Sequence, residues 1–264
     1  MEPSPAPWIS AMRHSHDVLQ GVVEPLNVDQ LDQRSYASEW SIAQVLSHLG
    51  SQSEIFGLFL DAGLSGQGPP GAEVFGPIWD TWNAKDPQAQ ASDALRADAA
   101  TLERFESLDA DQQARLHLNM FGMELGTAGL ARMRLGEHAI HSWDVAVALD
   151  PEATVAPDAV ALLIDTLDQF VSRSGKPEGK PRKIRVLTTD PERQFTLETG
   201  DAVTLTASDR ESNPEPPELG LSELRLPAEA FVRLVYGRLD ADHTPAVESA
   251  GVDLDELRKV FPGF

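Results

Sequence analysis

The chain has 264 residues, and its 42 acidic against 21 basic side chains give a formal charge of −21 at neutral pH. That surplus of carboxylates argues against duplex nucleic acid and anionic membrane as partners, since both need concentrated Lys and Arg. The absence of cysteine excludes disulfides, thiolate metal ligands and a cysteine nucleophile, while 41% hydrophobic residues suffice for a packed core in one large domain or two ordinary ones.

No apolar run reaches the roughly 18 residues of a membrane helix. Residues 1–8 lack the basic and apolar regions of a signal peptide, so a cytoplasmic protein is expected. Residues 8–24, 41–60, 90–107 and 127–149 carry apolar positions three and four apart and read as helices. The second opens on a capping box, Ser41-Ile42-Ala43-Gln44, with Trp40 and Val45 placed as a hydrophobic staple. The stretch 61–77 holds five glycines and three prolines and reads as a long loop able to cover a site. Four helices with one long crossing loop predict a four-helix bundle.

Near Asp150-Pro151 the pattern changes. A helix is predicted over 157–173, then a Gly/Pro/Lys-rich stretch over 174–181. Residues 184–188, 194–199 and 202–206 read as short strands, the last two joined by a turn at Thr199-Gly200-Asp201. A Pro/Glu-rich loop follows, then a strand over 223–226. Pro227 suits the first turn of a helix that ends near Tyr236, with Gly237 as its C-terminal cap. The second part is therefore a small mixed α/β domain.

Without cysteine, a metal site must draw on His, Asp and Glu. Of the seven histidines, His138 and His141 fall in one dense segment, Glu137-His138-Ala139-Ile140-His141-Ser142-Trp143-Asp144. Residues four apart on a helix differ by about 40° around the axis, so Glu137 and His141 share a face with Leu130, Met133, Ile140, Asp144 and Ala148. His138 lies about 100° from Glu137, which makes Glu137 and His141 the better ligand pair. Ionisable groups on an inward stripe are costly unless paired or metal-bound. His48, on a stripe with Val45, Gln52, Ile55 and Phe59, is the best-placed third ligand. Two His and one Glu with a fourth position open is the pattern of a catalytic zinc site, and Asp144 could orient a ligand from behind. The spacing alone equally fits a structural Glu–His hydrogen bond and a satisfied core histidine at 48.

The other candidates are plainer. His14 and His16, two apart on the first helix, point different ways and are expected to be solvated. His117 and His243 fall in apparent loops without partners. Gly66-Gln67-Gly68-Pro69-Pro70-Gly71 matches a dinucleotide fingerprint in letters only, since it neither follows a strand nor opens a helix. Trp79 and Trp82 read as packing anchors.

The segment Trp40-Ser41-Ile42-Ala43-Gln44-Val45-Leu46-Ser47-His48-Leu49 resembles a stretch of the DinB-like, mycothiol-dependent maleylpyruvate isomerase family. Glu137 to Val145 resembles that family's second signature, Glu-x-x-x-His followed by Trp-Asp. The resemblance implies an α+β protein, with a DinB-like four-helix bundle over 1–152 and a smaller C-terminal α/β domain over 153–264 closing over the metal. It implies a divalent metal, usually zinc, on His48, Glu137 and His141, with mycothiol as thiol cosubstrate. Wider DinB relatives often carry His-x-x-x-His here, so Glu137 favours the mycothiol-dependent branch. Leu234-Val235-Tyr236-Gly237-Arg238 resembles the family's closing helix, whose arginine helps the reaction, so Arg238 becomes the candidate catalytic residue. The partners implied are a small electrophile and a low-molecular-weight thiol. The expected chemistry is addition of a thiolate to the electrophile, ending in cis–trans isomerisation or in mycothiol S-transfer. A hydrolase that activates water, and a binding protein without chemistry, are the alternatives that the same ligands permit.

Overall fold

A computed structural model describes residues 3–37, 39–120, 122–177, 179, 181–208 and 222–263. The architecture is α+β, and the chain divides into two compact units, Met1–Ala159 and Val160–Phe264.

In the first unit the helices are α1 (Ala6–Val23), α2 (Val28–Leu31), α3 (Ile42–Ser65), α4 (Phe75–Asn83), α5 (Pro87–Glu106), α6 (Ala110–Arg115) and α7 (Thr127–Ala146). The four long ones, α1, α3, α5 and α7, are those expected from apolar periodicity. Each packs on two of the others, in the ring α1–α7–α3–α5. The start of α3 is the capping box read from the sequence: Ser41 Oγ accepts from Gln44 N–H, and Gln44 Oε1 accepts from Ser41 N–H. At α5 the Asp86 carboxylate caps Ala89 N–H, with Pro87 at the first helical position. Leu31, Ile42, Val45, Leu46 and Leu49 are fully buried in one cluster with Trp82 and Val145. Each such aliphatic side chain contributes about 1.5–3 kcal/mol of transfer free energy.

The loop expected over 61–77 is largely helical. α3 continues to Ser65 and stops at Gly66, whose φ of 69° lies in the left-handed region. After a short turn at Ala72–Val74, α4 follows directly. Gly63, counted in that expected loop, acts differently inside α3. A Cβ on Gly63 would lie 3.0 Å from the Leu116 side chain, so this glycine allows close approach. Gly50 has the same role for α4, because a Cβ there would fall 2.2 Å from the buried Trp82 ring. Trp82 Nε1–H donates to Glu54 at 2.9 Å, which fixes the ring against α3. Two short strands missed in the sequence, β1 (Leu118–Met120) and β2 (Met123–Leu125), pair antiparallel ahead of α7.

Beyond α7, the helix expected over 157–173 is broken into α8 (Pro157–Leu163) and α9 (Leu167–Ser174) by a single tight turn at Ile164–Thr166. The strands are β3 (Arg182–Thr189), β4 (Arg193–Thr199), β5 (Thr204–Ala207) and β6 (Ser222–Pro227). Helix α10 (Ala228–Val235), strand β7 (Glu248–Ala250) and helix α11 (Leu254–Val260) complete the second unit. The sheet order is β5-β4-β3-β6-β7, parallel only between β3 and β6. Ile184, Val186, Phe195, Leu197, Leu224 and Leu226 are buried at alternate positions along their strands, and α10 packs on β3 and β6. The hairpin at Thr199-Gly200-Asp201 and the left-handed Gly237 after α10 are as read from the sequence. The Pro/Glu-rich loop falls on residues 209–221, outside those described. Among the described residues, no helix is long and apolar enough to cross a membrane.

Candidate metal centre

Helices α3 and α7 are neighbours in the bundle, which brings His48 opposite the Glu137–His141 face. The rings of His48 and His141 lie 4.6 Å apart between centroids, at a steep interplanar angle of 66°. Glu137 Oε2 stands 3.5 Å from His48 Nε2 and 3.9 Å from His141 Nε2. Those separations are too long for good hydrogen bonds. They match the edge of a tetrahedron with bonds of about 2.1 Å, roughly 3.4 Å, which is the spacing of ligands around zinc. His48 Nε2 is buried and has no hydrogen-bond partner among the described residues. A buried ring nitrogen of this kind is costly unless something else occupies its lone pair. The donor set therefore fits a divalent metal.

Asp144 is fully buried and lies 2.8 Å from His141 Nδ1. Acting as acceptor, it places the ring proton on Nδ1 and leaves Nε2 as the ligand atom. Trp40, read as half of a staple, places its partly exposed indole beside the centre, 5.2 Å from the His48 ring and 6.3 Å from the His141 ring.

The electrostatics favour the ligating forms. Burial lowers the His48 pKa, and the nearby His141 and Arg134 lower it further, against the opposing pull of Glu137. The protein around the Glu137 carboxyl would by itself raise its pKa. Contact with His48 and the charges of His141 and Arg134 outweigh that effect, so the net direction is downward. A neutral imidazole beside an ionised carboxylate is the state that binds a metal at neutral pH.

A second cluster, His16–Asp98–His138, also brings metal-binding residue types together, and it is buried throughout. Its spacing is different. His16 Nδ1 lies 2.7 Å from Asp98 Oδ2, a hydrogen bond, and His138 Nε2 lies 2.9 Å from the same oxygen, a close contact without hydrogen-bond geometry. The other oxygen, Oδ1, accepts from Arg134 at 2.6 Å. With a guanidinium already on the carboxylate, a cation has no electrostatic reason to enter. His16 is thus not solvated as expected: it is 4% exposed, and the first helix turns it inward onto Asp98. His14 keeps the solvated role, paired with Asp158 on the surface at 2.9 Å. Asp98 was legible in principle, because it continues the inward stripe of Ala91 and Ala94 on α5. Arg134 Nη2 also donates to Ser53 Oγ at 2.8 Å, and the guanidinium borders a cavity of about 10 Å³, room for one water.

The remaining expectations resolve individually. His117 and His243 do have partners, Glu124 and Asp240 respectively. Arg238 belongs to the second unit, directly after the left-handed Gly237. Its Nη1 donates to Tyr236 O at 3.0 Å and its backbone N–H to Arg233 O at 2.7 Å. Arg233, missed in the sequence, is 4% exposed and forms a two-pronged pair with Glu229. It also donates to the carbonyls of Arg238 and His243, which fixes the backbone of the turn that carries Arg238.

Comparison with known proteins places this geometry in context. The family model for the mycothiol maleylpyruvate isomerase N-terminal domain matches residues 12–146. The fold is similar to the crystal structure of the mycothiol-dependent maleylpyruvate isomerase, with a TM-score of 0.69 at 13% identity over 94% of this chain and 93% of that one. A variant of that isomerase with one histidine replaced by alanine matches with the same values. YfiT from Bacillus subtilis, described as "a probable metal-dependent hydrolase with an unusual four-helix bundle topology", matches 57% of this chain and 90% of its own, with 16% identity and a TM-score of 0.41. No curated protein matches the chain by sequence.

Proposed function

The chain belongs to the mycothiol maleylpyruvate isomerase N-terminal domain family, and on that premise we propose that it is an enzyme that uses mycothiol at a divalent metal, zinc being the best fit. The observation that carries the reading is the spacing of His48, Glu137 and His141, wider than hydrogen bonds and suited to three ligands of one ion. When bound to these residues, zinc with an open position would lower the pKa of a coordinating thiol and so supply a nucleophile at neutral pH. The lack of cysteine suits this chemistry, because the reacting sulfur arrives with the cosubstrate.

Within the reading, Asp144 orients His141, and Glu137 offsets part of the positive charge at the centre. The partly exposed Trp40 borders the two histidine rings and would form one wall of the reacting position. The sulfur adds to an electrophilic carbon of a small substrate. On a cis alkene conjugated to a carbonyl, the π pair moves to the carbonyl as the C–S bond forms; rotation about the new single bond and expulsion of the thiolate give the trans isomer, whereas protonation of the enolate leaves a thioether, the result of S-transfer. Arg238 is proposed to neutralise a substrate carboxylate, a role suited to the bidentate guanidinium.

Two measurements test this. Mycothiol binding to metal-loaded protein should release about one proton near pH 7, because a free thiol of pKa about 8.5 is mostly protonated there. Calorimetry in buffers of different ionisation enthalpy counts that proton. Equal affinity with and without metal, and no release, would remove the thiolate reading. Arg238→Ala should leave metal content unchanged and lower kcat/KM for a carboxylate substrate about 10- to 100-fold, the range for a lost charge-assisted hydrogen bond. Unaltered kinetics in the folded variant would reduce Arg238 to a surface charge.

A further inference from the structure

Helices α3 and α7 carry the candidate ligands between them, so their relative placement sets the distances at the centre. Apolar packing by itself is non-directional. Here it is also sparse: α7 packs more extensively on α1, and α3 on α5, than the two pack on each other. Something more specific has to hold them in register.

One turn from the ligands, a charged side chain joins the same two helices. Arg134 precedes Glu137 by three residues and His141 by seven, so the three share a stripe of α7. Its guanidinium is buried and meets α3 directly after His48. Nη2 lies 3.3 Å from Leu49 O and 2.8 Å from Ser53 Oγ, and Cζ lies 5.7 Å from the centroid of the buried Phe56 ring. From α5, Asp98 Oδ1 accepts from the same Nη2 at 2.6 Å. Helix α5 is tied to Ser53 as well, because Thr101 Oγ1 donates to Ser53 O at 2.9 Å. His16 of α1 reaches the other oxygen of Asp98, so the charge pair stands where all four long helices meet.

As a source of stability this pair is poorly built. Nε and Nη1 of Arg134 are buried and have no hydrogen-bond partner among the described residues, so Nη2 alone offsets the desolvation of the charge. Buried ion pairs of that kind are often no more stabilising than apolar side chains of similar volume, and their best-attested use is to fix register. The geometry suits that use. A one-residue step of α7, about 1.5 Å of rise with about 100° of rotation, would withdraw the guanidinium from Ser53 and Asp98 together.

We propose that Arg134 is a positioning residue for the metal centre: through Leu49, Ser53 and Asp98 it sets α7 against α3 and so holds Glu137 and His141 at ligand distance from His48. The inference rests on the metal-dependent reading above and adds what preorganises the three ligands.

The test removes the pair from both sides, Arg134→Met with Asp98→Asn, so that no charge is stranded and the introduced amide can still accept from His16. The urea midpoint reports folding. Crystal structures without metal report the separations that now stand at 3.5 and 3.9 Å, and chelator competition reports zinc affinity. The double variant should fold, its separations should move by more than about 0.5 Å, and its zinc affinity should fall about 10- to 100-fold. Ser53→Ala removes one acceptor on α3 and leaves the charges paired. It should stay folded and bind zinc about tenfold more weakly, and it decides the matter if the double variant does not fold. Unchanged zinc affinity in the folded double variant, or in Ser53→Ala where it decides, overturns the positioning role and leaves the metal reading in place. A loss of affinity with unmoved separations assigns the effect to charge and also overturns it. If the unaltered protein binds no zinc but the separations move in the variant, the metal reading fails and Arg134 still positions the cluster. Neither zinc binding nor movement overturns both.

Discussion

His48→Ala, Glu137→Ala and His141→Ala are each expected to leave the purified protein with little of the roughly one divalent metal per chain that the unaltered protein should hold. Removing a partner behind a ligand typically costs about 10- to 100-fold in metal affinity, and losing one of three direct ligands should cost more. Asp144→Asn provides the lower calibration: it keeps the ligand atoms and disturbs the tautomer of His141, so its loss should fall inside that 10- to 100-fold range. His138→Gln is the control. His138 neighbours Glu137 in sequence but is turned onto Asp98 and Ser15, so metal content should be unchanged. Elemental analysis and competition with a chromophoric chelator read these outcomes. Full occupancy in His48→Ala, or depletion in His138→Gln as complete as in Glu137→Ala, would sink the assignment of ligands.

Asp98→Asn is expected to destabilise the first unit by about 3–5 kcal/mol, the usual cost of breaking a buried ion pair from one side. The carboxylate is 6% exposed and faces Arg134, itself 2% exposed, so the substitution leaves a guanidinium charge without its counterion. All five tryptophans lie between residues 8 and 143, so urea unfolding followed by tryptophan fluorescence reports this unit alone. The pH dependence gives an independent check. Burial would raise the Asp98 pKa, but His138, Arg134 and His16 outweigh it and hold the carboxyl well below its ordinary range. With a depressed folded pKa, the stabilisation is complete above the unfolded value of about 3.9 and is lost as pH falls through the folded one. The amide introduced by Asp98→Asn does not titrate, so acid below about pH 4 should destabilise the variant less steeply than the unaltered protein. An unchanged urea midpoint at pH 7 would show that the network contributes specificity without stability.

The candidate ligands were legible because each half of the set lies within one helix. Glu137 and His141 are four apart, and His48 shares a stripe with Val45 and Ile55, so the periodicity that defines the inward face also selects the residues on it. Asp144 followed from the same periodicity, three residues beyond His141. His16 was misread for a related reason. Its helix is amphipathic with a broad buried face that includes Met12, Ser15 and Leu19, and a histidine at the edge of such a face can turn either way. The partner that settled its direction, Asp98, is 82 residues further along the chain. Helix α4 was missed because the expected loop ended at 77 and residues 78–89 were assigned to no element.

By itself the sequence determined the four long helices, the capping box at Ser41, the alternating strands of the second unit and the pairing of Glu137 with His141 on one face. All of these depend on spacings that the hydrogen-bonded backbone imposes within a few residues. Only the tertiary structure decided that α4 docks through Trp82 onto Gly50, that His16 and His138 converge on Asp98, and that one His–acid cluster is spaced at 3.5 and 3.9 Å while the other is spaced at 2.7 and 2.9 Å. The last difference separates the spacing proposed for a set of ligands from the direct contacts that gather around Asp98. It is fixed by how neighbouring helices pack side chains that are far apart in sequence, a relation that no local periodicity encodes.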